Sequence, residues 1–163
     1  MRTILTDILL SLLFLVLQTT IIRFLAVQMI VPDVVLLWII YLAIRRGQIT
    51  ATTAGFFIGL AFDLLSGADS MLGLAALSKT AAGFVAGYFF NENKTAQTLG
   101  SYQLILIVVL ASLVHNLIYF VIFLQGSGIT WSGALFQYGI PTTAYTAALG
   151  LLPMFAFARK HLT

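Results

Sequence analysis

Few residues in this chain have side chains that can do chemistry, and their spacing limits what they can do. The stretch GLAFDLLSGADSMLGLAALSKTAAG, residues 59–83, sets Asp63 and Lys79 among apolar neighbours. Lys79, about eight residues into its helix, is placed to reach outward to Asp63 or Asp69 as a structural ion pair, or else to a ligand or lipid phosphate. Asp63 can also be satisfied by local backbone amides. Further along, SLVHN puts Ser112 and His115 on one helical face. An i, i+3 pair with no orienting acid or oxyanion donors in view does not make an activated nucleophile. A metal needs more ligands than one buried histidine. GSG at 126–128 lacks the flanking pattern of a phosphate loop. With no cysteine, thiolate chemistry and disulfides are excluded. No catalytic residue, cofactor site or metal site is therefore expected, and the chain does not read as an enzyme.

The elements that hold these residues must lie in lipid. The chain of 163 residues is 61% hydrophobic and 8% charged, with a mean hydropathy of +1.06. Soluble domains carry roughly 25% charged residues. So few charges cannot cover a soluble surface. The pI of about 9.5 comes from eight basic residues spread along the chain, a pattern that sets membrane topology and does not bind nucleic acid. The opening MRTILTDILLSLLFLVLQTTII is longer than a signal-peptide core and has no small-residue cleavage site after it, so it reads as an uncleaved helix.

A crossing needs about 20 mostly apolar residues. Six stretches approach this, at 3–22, 26–44, 49–65, 71–90, 102–124 and 133–158, and form one transmembrane domain over 1–163. Pro32 and Asp33 interrupt the second, which needs either a turn at Pro32 or a broken helix. Continuous rather than alternating apolar runs argue against a β-barrel. With the N-terminus inside, Arg2, Arg45, Arg46, Lys94, Arg159 and Lys160 fall on the cytoplasmic side and only Arg23 outside. This bias places both termini in the cytoplasm.

Small residues recur where helices would meet. GFFIG and GFVAG are both G-x-x-x-G, carried by Gly55 and Gly59 and by Gly83 and Gly87, and the stretches around them align at an offset of 28 residues. Helices in lipid associate through close approach of such residues. The seams serve either packing of the third helix on the fourth or docking of another membrane protein. Ala75, Ala82 and Ala86 flank the glycine seam and form the candidate docking edge. Gln18, Ser112, His115, Asn116, Tyr119, Tyr138, Thr142, Tyr145 and Thr146 put polar groups at comparable depth, near a kink expected at Pro141. They read as a polar core in the outer half, either a hydrogen-bond network or a small cavity.

At VPDVVLLWIIYLAIRRGQITATTAGFFIGLAFDLLSGADSMLGLAAL the sequence resembles the MreD family of rod shape-determining proteins. The matching positions are Pro32, Asp33, Arg46, Gly47, Gly55, Gly59, Asp63 and Gly73. The resemblance implies a multi-pass protein of the bacterial inner membrane, a six-helix all-α bundle similar in fold to the S-components of energy-coupling-factor transporters. It further implies a non-enzymatic scaffold of the cell-elongation machinery that binds the single-span protein MreC. A SEDS glycosyltransferase and its transpeptidase belong to the larger complex that organises lateral peptidoglycan synthesis, with membrane lipids around it. The alternative is a vitamin-binding S-component using Trp131, His115, Asn116, Tyr138 and Tyr145, although the first helix lacks the A-x-x-x-A pattern for a coupling subunit.

Overall fold

The computed structural model describes residues 2–27, 30–66, 71–125 and 128–159. It is all-helical. The helices are α1 (Arg2–Thr20), α2 (Val34–Arg46), α3 (Gln48–Ser66), α4 (Leu74–Gly87), α5 (Thr95–Leu99), α6 (Tyr102–Phe123), α7 (Trp131–Ala134) and α8 (Ile140–Arg159). Among the described residues, four segments are long and apolar enough to cross a membrane: Thr3–Thr20, Gln48–Ser66, Tyr102–Phe123 and Trp131–Arg159.

The second and fourth apolar stretches form shorter helices than expected. Pro32 offers no amide hydrogen and restricts the residue before it, so α2 starts only at Val34, with the Asp33 carboxylate accepting from Leu36 N at 2.8 Å. Ahead of it the chain makes a short turn at Ile22–Leu25 and a backbone pairing between Val27 and Ile30. At 13 residues α2 rises about 20 Å, short of the ~30 Å hydrocarbon core. The fourth helix likewise begins at Leu74 instead of residue 71 and ends at Gly87.

Short as it is, α2 is the centre of the molecule. Val35, Ile39, Ile40 and Ala43 are fully buried, and Leu36, Leu42 and Ile44 nearly so. They pack into one cluster with Ala51 and Ile58 of α3, Ala82 and Ala86 of α4, Ile107, Val108 and Ala111 of α6, and Ala147 and Met154 of α8. Gly47, at φ 90°, turns the chain from α2 straight into α3. The sixth apolar stretch runs on from Trp131 to Arg159. Pro141 brings no donor to the ladder, and the wider turns of a π-helical segment at Leu135–Gly139 precede it.

Candidate functional site

The break before α2 leaves backbone groups that lipid would not satisfy, and side chains from two other helices meet them. Gln18 of α1 donates to the Pro32 carbonyl at 3.0 Å and accepts from Val34 N at 2.8 Å. Thr146 of α8 accepts from Asp33 N at 3.1 Å. Asp33 is thereby fixed as a junction. One carboxylate oxygen caps α2, and the other receives the Lys79 ammonium of α4 and lies 3.5 Å from His115 Nε2 of α6. Lys79 is 2% exposed, with its ammonium 5.5 Å from the centre of the Phe62 ring. Burying such a charge is tolerable only because it is paired.

This corrects the pairing expected from sequence. Lys79 makes its ion pair with Asp33 and not with Asp63, while Asp69 lies outside the described residues. Asp63 has a different task. Gly73, before the first turn of α4, has no side chain to cap it and sits at φ 91°. The Asp63 carboxylate reaches across from α3 and accepts from Gly73 N, Ala75 N and Ala76 N at 2.9, 3.1 and 3.2 Å. It works as an N-cap supplied from a neighbouring helix, with its charge at the positive end of the α4 dipole.

A cavity of about 290 Å³ opens beside the charges, lined by Gln18, Asp33, Lys79, His115, Asn116 and Thr142 against the rings of Phe62, Tyr119, Phe120 and Phe123. Asn116 donates to the Gly139 carbonyl and to Thr143 Oγ1, at 3.1 and 2.9 Å, closing the π-helical turns onto α6. The buried Ser112 Oγ and His115 Nδ1 have no hydrogen-bond partner among the described residues. An acid does stand beside His115, but the Ser112 hydroxyl is not bonded to the imidazole, so nucleophile and base are not joined. Of the expected polar core, Gln18, His115, Asn116 and Thr142 meet at this cavity. Tyr145 lies apart, donating to the Leu25 carbonyl at 3.0 Å on the outside of the molecule, and Trp131 is exposed.

The four glycines come together in one interface between α3 and α4. A β-carbon on Gly55 would lie 2.6 Å from the Lys79 carbonyl oxygen, and one on Gly59 would lie 2.5 Å from Ala76 Cα. On the other helix, Gly83 abuts the Ala51 carbonyl and Gly87 abuts Gln48. Both G-x-x-x-G motifs are spent on each other, backbone against backbone. The alanine edge expected to face lipid is corrected as well. Ala82 is 0% exposed, and Ala75 and Ala86 are buried with it, because α4 is covered by α2 and α6 as well as by α3. The exposed face of α4 carries Leu77, Phe84 and Tyr88 instead.

The first helix is packed quite differently. Only 11% of its spanning window is buried. A trough of about 540 Å³ runs along one side, between α1 and α3, lined by Ile8, Leu12, Thr50, Thr53, Ala54 and Phe57 among others. Another of about 660 Å³ runs along its other side, against α2 and α8. Sequence reasoning missed both troughs, along with the Asp7–Arg46 ion pair at 2.9 Å that ties α1 to α2. Asp7 is the only ionised group in its turn of helix, and Arg45 and Arg46 are the only charges on α2, which is the signal that was available.

The family model for rod shape-determining protein MreD matches residues 1–161 of the chain. The chain belongs to the MreD family. Its role therefore lies in rod shape determination, and its four long apolar helices fit a membrane member of that machinery. No curated protein and no solved structure matched the chain. Within the family frame, Asp33 and Asp63 both serve helix starts, Gly47 and Gly73 serve turns, and Gly55 and Gly59 serve close packing.

Proposed function

We propose that this MreD-family chain is a non-enzymatic scaffold of the inner membrane that seats the transmembrane helix of MreC and so positions the enzymes of lateral wall synthesis. Its fold would be a single six-crossing bundle with both termini in the cytoplasm, in which α2 and α4 are the two short crossings. The observation that carries the reading is the contrast at α1. A helix with 11% of its window buried is left beside an apolar trough, while the two G-x-x-x-G surfaces are used up internally. Thr53, Ala54 and Ala61 on the α3 wall are small enough to let a helix backbone approach closely. A SEDS glycosyltransferase and its transpeptidase would join through the larger complex, not through this trough.

Thr53 is exposed, so Thr53→Trp fills the trough without touching the core. Co-purification of MreC should fall at least tenfold and rod cells should round up, with protein level and detergent melting temperature near wild type. Full recovery of MreC would remove the trough as the docking face.

The cavity at Asp33, Lys79 and His115 is the observation favouring the alternative, a vitamin-binding S-component. Of the residues expected to hold such a ligand, His115 and Asn116 line it, whereas Trp131, Tyr138 and Tyr145 do not. Affinity purification separates the readings, since an S-component would bring down an ATPase module in place of MreC.

A further inference from the structure

We propose that the groove between α1, α2 and α8 is a binding site for one anionic diacyl phospholipid, held by Arg45 at its charged end. The groove has the two-part chemistry of a lipid. Its walls are apolar, from Leu10, Phe14, Leu37, Leu149 and Leu152, and its charged groups are Asp7, Arg45 and Arg46. Within it runs a ladder of rings, with Phe14 on Trp38, Trp38 on Tyr41 and Tyr41 on Phe157 at centroid separations of 5.2, 5.2 and 6.0 Å. Flat rings in register offer an acyl chain a smooth bed.

The charged end has an imbalance that a phosphate would correct. Arg46 pairs with Asp7, yet its buried Nε has no hydrogen-bond partner among the described residues. Arg45 makes no ion pair with any described residue. Its guanidinium instead rests 5.7 Å from the centre of the Tyr41 ring and donates to the Tyr41 hydroxyl at 2.5 Å. That contact holds the planar donor fork in place at the groove mouth, and a fork of this kind matches phosphate oxygens two at a time. Trp38 and Arg45 are seven residues apart on α2, about 10 Å of rise, so a headgroup at Arg45 lays the middle of its chain over Trp38.

The same charges discriminate against other occupants. A partner's transmembrane helix carries Lys and Arg at its cytoplasmic flank, which Arg45 and Arg46 would repel. A choline headgroup would place a cation beside them. An anionic headgroup relieves the imbalance, as in basic pockets between transmembrane helices at the cytoplasmic surface.

Trp38 and Trp131 are the chain's two tryptophans, so fluorescence can read the groove directly. Trp131→Phe protein is reconstituted into vesicles containing a rising fraction of phosphatidylglycerol or phosphatidylcholine brominated at mid-chain. Trp38 should be quenched at a roughly fivefold lower mole fraction of the brominated anionic lipid. Arg45→Gln should bring the two curves together, because Arg45 is exposed and its loss leaves the groove walls in place. In the converse Trp38→Phe protein, Trp131 should be quenched alike by both lipids. Coincident curves in Trp131→Phe protein, an absence of quenching, or a preference that survives Arg45→Gln would each overturn the proposal.

Discussion

The α3–α4 interface and the flank of α1 are built from similar apolar sequence and behave in opposite ways. Between α3 and α4, glycine backbones touch and no side-chain volume remains to be filled. Along α1, Ile4, Leu5, Ile8, Leu9, Leu12, Leu13 and Val16 are all exposed, with a trough on either side. What separates them is side-chain size: glycines stand on both sides of the seam, whereas α1 presents Leu and Ile. Burying Leu or Ile against lipid-facing Leu gains little in a bilayer, because lipid tails are equally apolar, whereas close backbone contact gains dispersion everywhere along the seam. The tight interface holds the fold, and the loose one leaves the flank of α1 largely uncovered.

The contrast breaks most sharply at the charge that locks the tight region. Lys79→Met leaves the half-buried Asp33 carboxylate without its ammonium partner, which should cost about 3–5 kcal/mol, read as a collapse of the detergent melting temperature. Adding Asp33→Asn should restore part of that loss, whereas adding Asp63→Asn should deepen it, since Asp63 holds α4 amides instead. Recovery with Asp63→Asn alone would reinstate the Lys79–Asp63 pair.

Next comes the seam. Gly59→Leu drives a side chain into the Ala76 backbone, and overpacking of this kind costs about 1–3 kcal/mol or more. Ala82→Leu should fall at the lower end of the same range, because its surroundings are side chains of the core. It too should lower the melting temperature, in contrast to its expected silence on stability had the alanine edge faced lipid. Thr53→Trp should sit at the bottom of the series, within about 0.5 kcal/mol of wild type, while having the largest effect on partner capture.

How much of this could be read from residues alone varies from element to element. The long helices α1, α3 and α6 were legible because continuous apolar runs of sufficient length leave little choice in lipid. The mutual use of the two glycine motifs was legible as one of two options, for the spacing shows only that a surface is small. The start of α2 was less so. Val27, Ile30 and Val31 are as apolar as a helix would need, and Pro32 with Asp33 allowed either a turn or a broken helix. The turn exists because Gln18 and Thr146, on distant helices, satisfy its backbone. The partner of Lys79 is hidden from the sequence for the same reason. Asp63 is nearer in sequence, but Asp33, 46 residues away, opens its helix at the depth where Lys79 sits. The alanine edge failed on burial. Nothing in Ala75, Ala82 or Ala86 records that further helices, α2 and α6, pack over α4.

The most direct measurement of the central claim is site-specific cross-linking in living cells. A photoreactive residue is placed at Thr53, in the trough beside α1, and in parallel at Phe84, on the exposed face of α4. Both positions are accessible, so the comparison turns on where the partner lies. The account predicts an adduct with MreC from position 53 and none from position 84. An adduct from position 84 with none from position 53 would contradict it, and would place the partner's helix against α4 instead.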